Sequence, residues 1–309
     1  MKKKTTIIIA LFSCLLWGLV FPILKLLYLE INVTDDFAKL TLAGMRFFLA
    51  GILVLIYYAF SNKKFPKISS ISDFSKLSIL GVFQTTLVYA LFFVGTSNTS
   101  GIKSSILSQS SIFFVVILAH FLLKDEKINS KKNIALILGI IGMSVININN
   151  LGSQEGFLDF KLIGEGYLII SGFFGAVGTI LAKKLGKNIN AVLMNGWQLS
   201  IGGALLLIIG ILTYGKLISF PNTYSFILFL LLVLISAIAF TLWYIVLKYV
   251  KASEITIYKF TIPIIGAISS AILLPSENFS FYSLTGLILV SIGIYYSNKK
   301  NQKTNSNHF

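Results

Sequence analysis

Long apolar runs separated by short polar segments make up most of the chain. A helix that crosses a bilayer needs about 20 predominantly apolar residues, and ten of the runs come close to that length. We therefore predict helices at residues 6–28, 38–60, 76–97, 101–123, 132–149, 162–183, 190–213, 224–248, 252–274 and 281–297. The polar stretch from Asn149 to Lys161 is the only linker with a soluble character, and it divides these helices into two sets of five.

The two sets of helices are related in sequence at a fixed offset of 151 residues. Glu126 recurs as Glu277, and the segment LILGIIG at 136–142 recurs as LILVSIG at 287–293. The alignment needs no gap over this stretch. The sequence therefore predicts that the chain is a duplication of one five-helix unit.

The related loops of the two units differ in their lysine content. Residues 124–132 hold four lysines, whereas the corresponding residues 275–283 hold none. Because lysine-rich loops stay on the cytoplasmic side of a membrane, the two loops are expected on opposite sides. This pattern predicts an inverted repeat, an organisation found in secondary transporters.

The composition agrees with a membrane protein. Hydrophobic residues make up 56% of the chain and charged residues only 12%, whereas soluble domains carry about 25% charge. The predicted fold class is an all-α integral membrane protein whose ten transmembrane helices form two inverted five-helix repeats. Its predicted parts are a first repeat at 1–149, an extracytoplasmic linker at 150–161, a second repeat at 162–297 and a cytoplasmic tail at 298–309.

The distribution of lysines predicts the orientation of the chain. If the N-terminus is cytoplasmic, the segments on the inner side hold nineteen lysines, and those on the outer side hold only Lys39, Lys103, Lys161 and Lys216. This bias predicts a multi-pass protein of the cell membrane with both termini in the cytoplasm.

Other classes of protein fit the sequence less well. The net charge of +15 comes from lysines in short loops, without a basic helix or an aromatic RNA-binding motif, so we expect no nucleic-acid partner. Cys14 is the only cysteine, which excludes an internal disulfide and a cysteine-based metal site. We expect no cofactor and no metal, and the chain contains no phosphate-binding P-loop.

Several short motifs resemble those of EamA modules, which form the ten-helix branch of the drug/metabolite transporter superfamily. The resemblance covers residues 7 to 296 and rests on the order and duplication of the motifs. In the first half these are Trp17, Gly18, Phe21, Pro22, Lys25, GMR at 44–46, FFVGTSNTSG at 92–101, LLKDE at 122–126 and Gly142. In the second half they are Phe174, Gly175, GWQ at 196–198, WYIVLKYVKAS at 243–253, Pro263 and LLPSE at 273–277. The fourth helix departs from the family pattern, because Ile112 stands where a proline is common and where the ninth helix has Pro263. The resemblance implies a transporter that works in efflux.

Two charged side chains lie well inside predicted spans, away from the helix ends. Arg46, the only arginine, lies in the second predicted helix and Lys259 in the ninth. A charge inside a membrane span is costly and is therefore a functional candidate. The offset of 151 residues also maps Ser105 and Ser108 onto Thr256 and Lys259. Polar faces related by an inverted repeat are expected to meet near the bilayer centre, where such transporters bind substrate.

The remaining candidate substrate-binding residues are polar or aromatic side chains within or close to the spans. They are Trp17, Gln84, Tyr89, Gln109, Gln198, the counterpart of Arg46 in the GWQ motif, and Trp243. A structural role stays open as the alternative for every candidate named here and above. Arginine can stabilise a helical bundle, and serine or tryptophan can serve in helix packing.

The charges favour a particular substrate class. No Asp or Glu lies in the middle of a predicted span, which disfavours a cation antiporter, whereas two buried positive charges suit a carboxylate. We therefore expect a secondary transporter, not an enzyme, that exports an amino acid or another small carboxylate-bearing metabolite by alternating access. A membrane-embedded enzyme and a non-transporting scaffold are the alternatives. The expected partners are this substrate and the lipid bilayer, and both a monomer and a homodimer stay open.

The orientation can be tested at the linker between the two repeats. A reporter enzyme that works only outside the cytoplasm is expected to be active when it is fused near Glu155, because an odd number of helices precedes the linker. A fusion after Lys64 serves as the cytoplasmic control. A cytoplasmic reporter signal at Glu155 would contradict the predicted topology.

Overall fold

The computed structural model describes residues 3–99, 104, 107–124, 126–146, 160–274 and 281–298. All regular elements in these residues are helices, and each predicted run contains one. They are α1 (Lys3–Glu30), α2 (Asp36–Asn62), α3 (Ile71–Ser97), α4 (Ser110–Leu122), α5 (Ser130–Ile146), α6 (Leu162–Leu185), α7 (Ala191–Tyr214), α8 (Thr223–Tyr249), α9 (Ala252–Leu273) and α10 (Phe281–Asn298). Seven of them, α1, α2, α3, α6, α7, α8 and α9, are long and apolar enough to cross a membrane. The chain is therefore an all-α, multi-pass membrane protein.

Side-chain caps fix where several helices begin. Asp35 accepts a hydrogen bond from the Ala38 amide at 2.9 Å and thereby starts α2. Ser70 caps α3 in the same way, so this helix begins five residues before the predicted boundary at residue 76. Such caps satisfy amide groups that have no partner within the helix.

Helices α2 and α7 pack closely and run antiparallel. Gly44 of α2 faces Leu207, while Gly51, further along α2, faces Ser200, so the residue numbers rise in one helix as they fall in the other. Gly203 of α7 faces Phe48. A Cβ atom at any of these glycines would overlap the backbone of the other helix. Small residues thus allow the two backbones to approach closely.

Helices α5 and α10 form a second antiparallel pair. Gly142 faces Gly286 and Val290, whereas Gly293 faces Ala135 near the start of α5. The two pairs, α2 with α7 and α5 with α10, join helices that occupy equivalent positions in the two halves of the sequence.

The other principal contacts also connect the halves. Helix α1 packs parallel to α9, where Gly18 meets Ile265, and antiparallel to α8, where Glu30 accepts a hydrogen bond from Asn222. Helix α6 packs against α4 and antiparallel to α3, with Gly178 beside Gln84. The contacts of α1 with α8 and α9 therefore correspond to those of α6 with α3 and α4.

The end of the bundle where α1 begins, which we call the amino-terminal end, is filled by an apolar cluster. This cluster takes residues from the starts of α1, α3, α7 and α9 and from the ends of α4, α6 and α8. Its fully buried members include Ala10, Cys14, Leu80 and Val246. The helices consequently converge at this end.

The glycine contact between α2 and α7 predicts a specific sensitivity to an added methyl group. Gly51→Ala is expected to lower the stability by about 1–3 kcal/mol, since the new Cβ overlaps the backbone of Ser200. Gly175→Ala is the matched control, because its Cβ would lie 3.5 Å from the nearest atom, in ordinary contact. Thermal unfolding in detergent measures both. Equal melting temperatures for the two variants would contradict the close packing.

Candidate functional site

A cavity of about 560 Å³ lies between helices of both halves. This volume falls in the range of small-molecule sites. It is lined by α1 from Trp17 onward, by α2 up to Phe47 and by α9 from Lys259 onward, together with parts of α3, α6 and α8 and the residues in and before α4. These segments lie on the side of the bundle opposite the amino-terminal end. The cavity therefore occupies one half of the bundle, and the apolar cluster fills the other.

The structure brings most of the predicted site residues to this cavity. The predicted residues on its wall are Trp17, Arg46, Gln84, Tyr89, Ser108, Gln109 and Lys259. Ser105 lies outside the described residues. The remaining three, Gln198, Trp243 and Thr256, do not line the cavity and lie behind its wall.

Gln198 connects helices instead of facing the cavity. Its side chain is fully buried, accepts a hydrogen bond from the Thr85 hydroxyl at 2.8 Å and donates one to Asn195 at 3.4 Å. It therefore holds α3 against α7. Thr256 is also fully buried, and its hydroxyl has no partner among the described residues.

Helix α3 is irregular where it meets the cavity. Residues Val82–Leu87 form a π-helix that carries Gln84, and Ser171 of α6 donates to the carbonyl of the next residue, Val88, at 2.8 Å. Gly178 leaves space for the Gln84 side chain, because a Cβ there would overlap it. Short π-helical segments within α-helices are often found at functional sites. The sequence predicts an ordinary helix here, and only the polar triplet Gln84 to Thr86 inside an apolar run marks the site.

Helix α9 changes geometry next to Lys259. Residues Thr256–Phe260 form a 3₁₀-helix between two α-helical parts. Pro263 explains this change, because it has no amide hydrogen for the carbonyl of Lys259, four residues earlier, and its ring crowds that carbonyl. In the same segment, the carbonyl of Tyr258 accepts hydrogen bonds from the Thr261 hydroxyl at 2.7 Å and from the Cys14 thiol at 3.6 Å.

Helix α4 is interrupted at the cavity, although Ile112 stands where α9 has a proline. The sequence predicts one helix over 101–123, but Ser108 and Gln109 form a turn and the continuous helix begins at Ser110. The predicted span is therefore interrupted at residues 108–109, after the helical residues Ser104 and Leu107, and the rest of 101–106 lies outside the described residues. Ser108 and Gln109 line the cavity at this turn, so the break coincides with the site and does not depend on a proline.

Lys259 lies against two tryptophan rings. Its ammonium nitrogen is 5.3 Å from the ring centre of Trp17 and 4.8 Å from that of Trp243. Such cation–π contacts attract a positive charge to the ring face. The described residues offer this ammonium group neither a carboxylate nor a hydrogen-bond acceptor.

Arg46 is held more firmly. It is 7% exposed, its Nε donates to the Ser236 hydroxyl at 2.6 Å, and its guanidinium carbon lies 5.0 Å from the ring centre of Phe47. The Ser236 hydroxyl in turn donates a hydrogen bond to the carbonyl of Leu232 at 2.8 Å. Arg46 thus links α2 to α8, and no acidic side chain among the described residues pairs with it.

Several buried polar atoms around the cavity have no partner among the described residues. They are Nε1 of Trp17, the hydroxyl of Tyr28, Oε1 of Gln84 and Oγ of Ser104, and all four residues line the cavity. An unpaired buried polar atom costs about 1–3 kcal/mol. We therefore expect water or a bound solute in the cavity to pair with these atoms.

The wall of the cavity combines positive charge with aromatic surface. Arg46 and Lys259 are its charged members, and no Asp or Glu is found among the described residues that line it. The aromatic members are Trp17, Phe21, Tyr28, Phe47, Tyr89, Phe92, Phe93 and Phe240. This arrangement suits a small molecule with an anionic group and an apolar part.

Comparisons with known proteins match the chain to transporters over most of its length. The sequence profile of the EamA-like transporter family matches residues 4–148 and 162–299. An uncharacterized transporter of Archaeoglobus fulgidus is 28% identical over 97% of this chain and 99% of its own length. The uncharacterized transporter YetK of Bacillus subtilis is 30% identical over 82% of this chain and 76% of its own length. A crystal structure with 15% sequence identity superimposes with a TM-score of 0.77 over 96% of this chain and 97% of its own, so the fold is shared.

Substitution by methionine is expected to have opposite effects on stability at Gln84 and at Gln198. Gln84→Met is expected to leave the melting temperature unchanged or raise it, because it removes an unpaired buried Oε1 atom. Gln198→Met is expected to cost about 1 kcal/mol or more, because it breaks the bonds to Thr85 and Asn195. Thermal unfolding of the two variants in one detergent makes the comparison. A larger loss for Gln84→Met would contradict this account of the wall.

Proposed function

Since this chain belongs to the EamA-like transporter family, we propose that it exports a small carboxylate-bearing metabolite, such as an amino acid, by alternating access. The observation that carries this proposal is a membrane cavity with two positive side chains and no acid on its described wall. A charge without a counter-ion in a low-dielectric site attracts an anion strongly. The transported molecule would supply the missing negative charge.

The aromatic surface supports the same substrate class. Ligand sites are mostly apolar, with a few polar groups that fix the orientation of the ligand. Here Arg46 and Lys259 supply the polar groups, and rings such as Phe92 and Phe240 supply the apolar wall. An amino acid or a similar carboxylate would place its charged end at the cations and its side chain against these rings.

Reciprocal contacts between α2 and α7 support an inverted repeat. Gly44 faces Leu207, and its counterpart Gly196 in the related GWQ motif faces Leu55. Leu55 and Leu207 are separated by the same 152 residues as the two glycines. A two-fold relation requires such an exchange of partners. With an axis in the membrane plane, each half would present the same surface to the other in the opposite direction.

The closed amino-terminal end supports alternating access. Glu126, only 3% exposed, accepts hydrogen bonds from the amides of Ala252 and Ser253 at 3.0 and 2.9 Å and from the Ser253 hydroxyl at 2.8 Å. Lys132 donates to the same hydroxyl at 2.7 Å. These bonds tie the first half to the start of α9 in the second half. The lysine bias predicts that this end is cytoplasmic. The conformation described here would then face outward. A change to an inward-facing conformation would break these bonds.

Counterflow in liposomes tests the proposed function. Protein reconstituted with a panel of amino acids, organic acids and cationic dyes is expected to exchange a carboxylate. Lys259→Ala and Arg46→Ala are each expected to reduce this exchange by about 10-fold or more, since each removes a positive charge from the wall. Lys25→Ala, which removes an exposed lysine outside the cavity wall, is the control. Exchange that is unchanged in both cavity variants, at equal protein levels, would remove the basis for the proposal.

The single native cysteine can report opening of the amino-terminal end. Cys14 is fully buried in the apolar cluster there. Glu126→Ala is expected to increase its rate of labelling by N-ethylmaleimide at least about fivefold, because three bonds that hold the end closed are lost.

The control for this experiment is Asp73→Ala. Asp73 lies at the same end, at the start of α3, but pairs with Lys76 of its own helix at 3.4 Å. It is therefore expected to leave the labelling rate close to that of the native protein. Equal labelling in the two variants would argue against a closure held by Glu126.

A further inference from the structure

We infer that Lys259 is the residue that selects the anionic group of the substrate, whereas Arg46 positions the cavity wall; this inference rests on the function proposed above. Both residues carry a positive charge and both line the cavity. Their surroundings differ in kind, because among the described residues the protein supplies a hydrogen-bond acceptor to Arg46 but only ring faces to Lys259. This difference assigns them different roles.

The ammonium group of Lys259 has no hydrogen-bond acceptor among the described residues. A lysine carries three N–H donors and no acceptor. The contacts of this group with the described residues are with the ring faces of Trp17 and Trp243. The ring faces attract the charge but do not replace an oxygen acceptor for the N–H groups. A carboxylate is the natural acceptor for these donors.

Trp17 offers a further donor beside Lys259. Its indole Nε1 is buried and has no partner among the described residues, and its ring both lines the cavity and touches the ammonium group. A carboxylate has acceptor sites for about four hydrogens. One bound carboxylate can therefore pair with Lys259 and with Trp17 together, which favours it over a neutral group.

Arg46 already has a hydrogen-bond acceptor within the protein. Its Nε donates to Ser236 of α8, and its guanidinium group lies over the ring of Phe47. These contacts orient the guanidinium and join α2 to α8, while its other four N–H donors have no acceptor among the described residues. Arg46 adds positive potential to the cavity, but its geometry is set by the bundle. We therefore assign it a positioning role.

The position of Lys259 along α9 adds a reason for its role. Ile255 and Tyr258, just before it, belong to the apolar cluster of the closed end, whereas Ile262 and Pro263, just after it, line the cavity. Lys259 lies at the boundary, within the 3₁₀ segment. An anion held there would contact α9 where the cavity meets the apolar cluster.

The test compares an acid with its uncharged analogue. For the carboxylate that gives the largest counterflow, inhibition of exchange is measured with the acid itself and with its primary amide. The native protein is expected to prefer the acid by about 10-fold or more, the usual effect of a hydrogen bond to a charged group. Lys259→Gln is expected to lower this preference to near one, while Lys259→Arg retains it.

Arg46→Gln is the discriminating variant. It is expected to reduce the amount of active protein or the maximal rate but to leave the acid-over-amide preference intact. Lys25→Gln, which removes an exposed positive charge from α1, is expected to change neither. Trp17→Phe keeps Lys259 but removes the indole N–H, and should lower the preference several-fold even if Lys259→Gln does not fold.

The outcomes separate this inference from the proposed function. If a carboxylate is exchanged but the acid preference survives Lys259→Gln and is lost in Arg46→Gln, the assignment of roles is overturned and carboxylate transport stands. If Trp17→Phe keeps the full preference, the inference that one carboxylate pairs with both Lys259 and Trp17 is overturned. If no carboxylate in the panel is exchanged by the native protein, the proposed function itself fails.

Discussion

Inside a bilayer every polar group must find a partner within the protein or in a water-filled space, because hydrocarbon offers none. Most of this chain meets the requirement with regular helices. Among the described residues, three departures from α-helical geometry lie inside predicted spans and have a residue on the cavity wall. They are the π-helix Val82–Leu87, the 3₁₀-helix Thr256–Phe260 and the turn at Ser108. A further π-helix, Leu162–Gly166, lies at the very start of α6 and has no residue on this wall. Irregular backbone inside a membrane is tolerated where it borders a water-filled space, which accounts for the three segments at the cavity.

The same constraint explains how two cations are kept without acids. Aromatic rings lie beside both of them, Phe47 beside Arg46 and two indoles beside Lys259. A ring face stabilises a positive charge without neutralising it. A glutamate in this position would pair with the cation and occupy its donors. Stabilisation by aromatic rings leaves the positive charge of the cavity without a counter-ion among the described residues of its wall, as the proposed carboxylate substrate requires.

Two kinds of contact hold the bundle together. Glycines bring α2 against α7 and α5 against α10 so closely that an added methyl group would overlap the opposite helix. The contacts that close the amino-terminal end are of another kind, with apolar side chains and the exchangeable hydrogen bonds of Glu126. The proposed alternating access requires that the closely packed pairs stay together while the contacts at the amino-terminal end break and re-form. In that proposal an anion bound at Lys259 lies between these two regions.

The sequence by itself determined ten helices, the relation between two halves and the two charges inside spans, because helix formation and hydrophobicity depend on neighbouring residues. Arg46 and Lys259 could be chosen since a charge in an apolar run stands out in any fold. Only the tertiary structure decided that Gln84 faces the cavity while Gln198 joins α3 to α7, and that α4 breaks before Ser110. Which face of a helix meets the cavity, and which end is closed, follows from its rotation against distant helices, and that packing is a property of the assembled bundle.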